Sequence, residues 1–249
     1  MTEVGEVLEL WRYPVSSLGG ERVDSIEVSA AGIDGDRRFA LIDPETGLPA
    51  SPERDPRWRP ALFLSSRSAT TDPVSPLPEI QFPDGLSLRL DDESLPERLA
   101  DHFGFAVSIG RYHDSEDDTS MFRTVVNRYV PSALHLLTTA SLENLASVAD
   151  IAEADRRRFR PSLLVACPER DLFLENNWIG QRLQVGSVRA NVVEGAKRCG
   201  MTLVAQPGLV EQPEILRNIL RHNKRTLGVY CDITWTGTIN VGDTVHIEL

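Results

Sequence analysis

The chain has 249 residues, 41% of them hydrophobic and 25% charged, with a formal net charge of −11. This composition excludes global disorder, and the acid excess repels a polyanionic partner such as nucleic acid or an anionic membrane surface. Three cysteines without a CxxC spacing argue against a disulfide framework or a structural zinc site. No apolar run reaches the ~18 residues that span a bilayer, and Glu3, Glu6 and Glu9 stand where a secretory signal carries basic residues. The expected location is cytoplasmic, with no membrane partner.

The first half reads as β-structure. Gly5–Val15 alternates in part and is stopped at Pro14, which cannot donate to a central ladder. Arg22–Ser29 alternates as a half-buried strand. Arg38–Asp43 forms another and closes on the turn Pro44-Glu45-Thr46-Gly47. Strands are expected at Ala61–Ser66, Ile80–Phe82 and Leu86–Leu90, the last two joined by a Pro83-Asp84-Gly85 hairpin turn. Leu95, Leu99 and Phe103 mark a helix over Leu95–Phe103. Asp114–Asp118 reads as a solvated acidic loop.

Beyond residue 130 the pattern is mixed. Ala133–Leu137 runs into Thr138-Thr139-Ala140-Ser141, which suit a helix cap, and Leu142, Leu145, Ala146 and Ala149 trace one helical face. Ser162–Cys167 is a buried strand, and Trp178–Gly180, Leu183–Val185 and Val188–Val193 read as strands between glycine turns. A helix enters through Gln212-Pro213 with Ile215, Leu216, Ile219 and Leu220 on its apolar face. Leu227–Thr234 and Thr244–Leu249 close the chain as strands. Strands outnumber helices, so a β-barrel or α+β body is the architecture the pattern predicts.

The chemistry-bearing candidate is Cys199, in Glu194-Gly195-Ala196-Lys197-Arg198-Cys199-Gly200. Adjacent cations favour a thiolate, which is both the nucleophile and the soft metal ligand. Cys167 and Cys231 sit in apolar strand patterns and read as packed side chains. Arg156–Arg160 (RRRFR) is the densest basic run. Arg156–Arg158 read mostly as a solvated face, whereas Arg160, pinned between Phe159 and Pro161, is placed to grip phosphate or a polar ring edge. Gly32–Arg38 (GIDGDRR) is a turn that carries Asp36 and Arg37 into a strand. The five histidines (His102, His113, His135, His222, His246) lack metal-ligand spacing, and no GxSxG, Walker or dinucleotide motif is present.

Together these segments resemble the MOSC superfamily, found at the C-terminus of molybdenum-cofactor sulfurases, in the amidoxime-reducing component and in stand-alone bacterial proteins. The resemblance is carried by LELWRYPVSSLGGE (8–21), GIDGDRRFALID (32–43), RFRPSLLV (158–165), ENNWIGQRLQVG (175–186), KRCGMT (197–202), LGVY (227–230) and GTINVGD (237–243). It implies an α+β, predominantly β fold: an N-terminal β-barrel-like domain over residues 1–125, a MOSC β-barrel core over 126–249 with a few peripheral helices, and a pocket between them. It also implies that Cys199 ligates molybdenum while Ser17, Arg37, Arg160 and Tyr230 surround the pterin of a molybdenum cofactor, and Ser16 and Arg198 are expected as further cofactor contacts. Ser16 replaces a lysine and Ser162 an asparagine of close relatives, and Asn127–Pro131 departs from their usual turn, with Arg128 as a candidate replacement cation.

The activity so implied is an oxidoreductase that reduces N-hydroxylated small molecules. The alternative is a carrier that passes sulfur from a Cys199 persulfide, and a third reading is a binding module without catalysis. The 249 residues show neither a PLP-dependent desulfurase region nor an iron–sulfur cysteine set. The expected partners are therefore a small-molecule substrate with an external electron donor or a cysteine desulfurase.

Overall fold

The computed structural model describes residues 1–68, 77–112, 121–126, 132–169 and 171–248. The acidic loop Asp114–Asp118, His113 and the Asn127–Pro131 segment with Arg128 lie outside the described residues. The fold is α+β and predominantly β. Its first strands are β1 (Thr2–Arg12), β2 (Val15–Ser16), β3 (Glu21–Val23), β4 (Ser25–Ser29), β5 (Gly32–Ile33) and β6 (Phe39–Ile42). A 3-10 helix at Pro56–Phe63 leads to β7 (Ser65–Arg67), β8 (Glu79–Gln81) and β9 (Ser87–Arg89). Helix α1 (Leu95–Phe103), β10 (Ser108–Tyr112) and β11 (Arg123–Val125) follow. The second half contains β12 (Leu134–Thr138), α2 (Thr139–Ala149), β13 (Leu163–Ala166), β14 (Arg182–Val185) and β15 (Val188–Lys197). It ends with α3 (Pro213–His222), β16 (Thr226–Trp235), β17 (Gly237–Asn240) and β18 (Thr244–Glu248).

Seven strands close into a barrel in the order β13-β12-β16-β15-β14-β18-β1, with β1 pairing back onto β13 and β3 attached outside β1. Closure leaves the ring without an unpaired edge. Alternation decides what fills it: Val229 and Cys231 of β16, Leu134 and Leu136 of β12, and Val7 and Leu10 of β1 all point into one buried cluster. Such side chains contribute roughly 1.5–3 kcal/mol each when fully buried. β1 closes the ring only by bending, with register shifts against both neighbours. At Gly5 a side chain would start 2.2 Å from the Ala166 carbonyl, so β1 and β13 meet there only because residue 5 is glycine.

A second core, including Val15, Leu41, Trp58, Ile80, Leu99 and Phe103, is wrapped by the sheets β11-β10-β6-β2 and β7-β8-β9 together with α1. Helices α2 and α3 cover the outer face of the barrel through Leu145, Ile215 and Ile219 against Leu137, Leu164 and Leu227. Sheet membership crosses residue 125 in both directions, because β1 belongs to the barrel, β3 extends its sheet, and β17 pairs with β4.

Helix α1 matches the expected span, and Thr138 caps α2 through the Ser141 amide. The Pro83-Asp84-Gly85 turn joins β8 to β9. Three expectations are corrected. Ala61–Ser66 is not one strand: the Asp55 side chain caps the Arg57 amide and Pro56 opens a 3-10 helix that buries Trp58, Ala61 and Leu62. Trp178–Gly180 is not a strand, since Leu174–Trp178 is a 3-10 turn whose Glu175 is drawn fully inside. Arg22–Ser29 divides at Asp24 into β3 and β4, which lie in different sheets.

Candidate functional site

Tyr13 lies under two guanidiniums. It follows β1, is 4% exposed, and has the Arg160 guanidinium 4.3 Å and the Arg37 guanidinium 5.0 Å from its ring centre. The GIDGDRR turn folds around it: the Tyr13 amide donates to Asp36 at 2.6 Å, and the Arg37 amide donates to the Tyr13 carbonyl at 2.8 Å. The Tyr13 hydroxyl donates to the Pro161 carbonyl at 3.2 Å. Burial raises this phenol to about 12 against the pull of both arginines, so it remains protonated at neutral pH.

Arg37 pairs with Asp36 and reaches the Arg160 carbonyl at 3.4 Å. Burial works most strongly against its charge, but Asp36 together with Tyr13 and Tyr230 outweighs that and holds it above its ordinary value. Among the described residues no carboxylate pairs with Arg160. Burial, with Arg37 adding to it, lowers its guanidinium to about 10, and its Nη2 is buried without a hydrogen-bond partner. Two cations thus share one counter-charge, and one buried donor has no acceptor. In a chain of net charge −11 this local excess of positive charge is an arrangement that could accept an anion.

Ser16 is placed opposite Ala40, because β2 pairs in parallel with β6, which begins two residues after Arg37, and Ser17 follows directly after β2. Ser17 donates to the Ala50 carbonyl at 3.4 Å. Ser17, Arg37 and Arg160 have φ of 70°, 49° and 54°. Non-glycine residues rarely adopt the left-handed region, and where they do they gather at functional sites. Ser162 is 1% exposed, and its amide donates to the His135 carbonyl at 2.9 Å.

Cys199 is half-buried at the end of β15, where it opens a 3-10 turn over Gly200–Thr202. Both the Thr202 amide and hydroxyl donate to its carbonyl, at 3.2 and 3.0 Å. The turn packs against the first half of the chain, since a side chain on Gly200 would come within 3.8 Å of the Glu53 carbonyl. The two cations preceding the thiol behave differently. Lys197 is exposed, with Glu194 at 3.8 Å. Arg198 is 7% exposed and donates to the carbonyls of Leu227 and Phe159 and to His135 Nε2. Burial lowers Arg198 to about 10, partly offset by Tyr230 and Cys199. Its donors therefore tie the thiol-bearing turn to neighbouring strands.

Tyr230 is half-buried on β16, directly opposite His135 of β12, with the rings edge-on at 5.4 Å. Its phenol acts electrostatically on both Arg37 and Arg198. Cys231, its neighbour, is fully buried in the barrel, and Cys167 packs against the same core. Burial raises both thiols to about 12, as expected for packed side chains.

The reading of Arg156–Arg158 as mainly solvated is corrected. Arg157 is exposed, but Arg156 pairs with Glu9 and lies 4.1 Å over the Trp11 ring. Arg158 is 3% exposed and donates to the carbonyls of Thr202, Val204 and Val210, because the loop after Cys199 has no strand partner for them. Sequence reasoning missed Tyr13, Asp36, Arg158 and His135 as parts of the site. The signal for the first two lay inside the RYP and GDRR segments. For His135 it was a polar residue opposite the core face of the strand Leu134–Thr138.

Among the described residues, no helix is long and apolar enough to cross a membrane, and no three His, Cys, Asp or Glu side chains are grouped to hold a metal. Residues 4–96 match the MOSC N-terminal beta barrel domain, and residues 115–246, more than half of the chain, match the MOSC domain. The mitochondrial amidoxime reducing component 2 of Macaca fascicularis is 23% identical over 288 residues, covering 99% of this chain and 84% of that protein. The mitochondrial amidoxime-reducing component 1 of Homo sapiens is 25% identical over 297 residues, with the same shares covered. Among solved structures, the YUAD protein from Bacillus subtilis aligns with 98% of this chain and 95% of its own at 11% identity and a TM-score of 0.49. The chain belongs to the MOSC-domain family.

Proposed function

We propose that this protein binds a molybdenum cofactor and acts as an oxidoreductase on N-hydroxylated or similar N-oxygenated small molecules. The observation that carries the reading is the buried, unpartnered Nη2 of Arg160 beside Arg37 on the Tyr13 ring, joined by hydrogen bonds through His135 and Arg198 to the turn that bears Cys199. These residues fit the group. Arg37 and Arg160 would neutralise its phosphate, and Ser16 and Ser17, on the segment paired with β6, would add hydroxyl contacts to it. Tyr230 would flank the pterin, and Arg198 would hold the turn in place. Cys199 is the one thiol among the described residues of this turn, and the remaining metal ligands would come from the cofactor itself. When bound, the cofactor supplies two-electron reduction of the substrate. The chain's own part is to ligate, to compensate charge and to orient. The names of its amidoxime-reducing relatives support this substrate class, and an external electron donor completes the scheme.

Protein produced in a host that makes the cofactor should carry molybdenum and pterin together. Cys199→Ser should lose the metal, and Arg160→Met should lose both. Protein that contains neither, yet gains one cyanide-labile sulfur on Cys199 after incubation with a cysteine desulfurase, would replace this reading with sulfur transfer.

A further inference from the structure

We infer that His135 is a positioning residue that holds the thiol-bearing turn and the anion-binding arginine in register, acting with a different ring nitrogen on each. This deepens the function proposed above and rests on it for what the two halves bind. The imidazole is 5% exposed. Its Nδ1 lies 3.2 Å from the carbonyl of Arg160, and its Nε2 lies 2.5 Å from Nη2 of Arg198. A carbonyl can only accept and a guanidinium can only donate. These two bonds put the ring's proton on Nδ1 and its lone pair on Nε2, and the Leu227 carbonyl, which accepts from the same Arg198 guanidinium, is a further acceptor against the ring. Burial and the neighbouring Arg198 and Arg37 charges disfavour a second proton.

Each bond serves a different part of the site. Arg160 is held at φ 54°, and its carbonyl receives both His135 Nδ1–H and Arg37 Nη2, so the imidazole fixes the strained backbone that aims the orphaned guanidinium. Arg198 immediately precedes Cys199, and its main chain is doubly tied to Arg225: its amide donates to the Arg225 carbonyl and its carbonyl accepts from Arg225 Nε, each at 2.8 Å. The bond to Nε2 thus sets the base of the thiol turn. The same ring lies edge-on to Tyr230. β16 makes room for it at Gly228, φ 78°, where a side chain would begin 2.7 Å from His135 Nε2. A histidine opposite a left-handed glycine, with one nitrogen on each half of the site, is more than a core filler requires.

The two nitrogens can be separated by substitution. His135→Asn keeps a donor near the Arg160 carbonyl, His135→Gln keeps an acceptor near Arg198, and His135→Leu keeps neither. Two readouts on the purified chain report the two halves: affinity for inorganic phosphate, and the rate at which iodoacetamide alkylates Cys199 at fixed pH, resolved by peptide mass. His135→Asn should retain phosphate binding while Cys199 alkylates several-fold faster. His135→Gln should alkylate at the wild-type rate while phosphate binding weakens about tenfold. His135→Leu should show both changes. The inference is overturned if His135→Leu matches wild type in both readouts, or if the Asn and Gln variants move both readouts together as general loosening would. If wild type itself does not bind phosphate, the anion cradle of the proposed function fails, and the alkylation rates of the Asn and Gln variants alone decide the role of His135.

Discussion

Replacing Arg160 with methionine should stabilise the free protein while removing its anion site. The guanidinium is held at about 10 by burial and by Arg37, whereas an arginine in water stays charged beyond about 12. That gap corresponds to about 3 kcal/mol against the charged form. The variant loses the stacking of the cation on Tyr13, about 0.5–2 kcal/mol, and a thioether regains part of it against the same ring. Its backbone keeps the left-handed geometry at equal strain, since both side chains branch no earlier than Cγ. The net expectation is a gain of about 1 kcal/mol, which for a chain of this size raises the thermal midpoint by about 2–4 °C. Thermal unfolding should be followed in a buffer free of multivalent anions and then with rising inorganic phosphate. Wild type should start lower and climb with phosphate, as expected for a ligand that binds only the native state. The variant should start higher and stay flat. A variant that unfolds below wild type and still climbs with phosphate would refute the reasoning.

Arg158→Leu should act in the opposite direction, because both terminal nitrogens of this guanidinium are engaged: three carbonyls of the loop after Cys199 lose their donor, and the loss of stability should be about 3–5 kcal/mol, read from the denaturant midpoint. An unchanged midpoint would show that the loop finds other partners. Acid should weaken the fold through His135. Its native form resists protonation, so the unfolded chain binds more protons below the ordinary histidine value near 6.5, and stability falls by about 1.4 kcal/mol for each further pH unit until the buried ring itself is protonated. Above that value the term vanishes. The groups facing the ring are the Arg160 and Leu227 carbonyls, which favour its proton, Arg198 and Arg37, which oppose it, and the Tyr230 ring. Comparing denaturant midpoints of wild type and His135→Gln between neutral pH and pH 5 isolates the effect, and equal acid sensitivity of the two would exclude it.

The strands of the barrel were legible because period-two alternation of Val, Leu and Ile reports a half-buried face wherever the partner lies; Val188–Lys197 and Thr226–Trp235 carry that pattern plainly. Helix α1 was legible from Leu95, Leu99 and Phe103, and the packed state of Cys231 from its apolar neighbours. Alternation does not say which strand lies beside which. That Thr2–Arg12 would close a barrel built mainly from residues beyond 130 was decided by tertiary pairing with β13 and β18. The site divides in the same way. Motif segments pointed to Arg37, Arg160 and Cys199, because side-chain chemistry is a local property of the sequence. Whether an arginine is free to hold a ligand is a property of its surroundings. Arg158 and Arg198 have their donors taken by main-chain carbonyls and an imidazole, whereas Arg160 keeps one buried donor without a partner. Hydrogen-bond satisfaction depends on groups far apart in the chain, so only the folded structure could separate these three identical side chains.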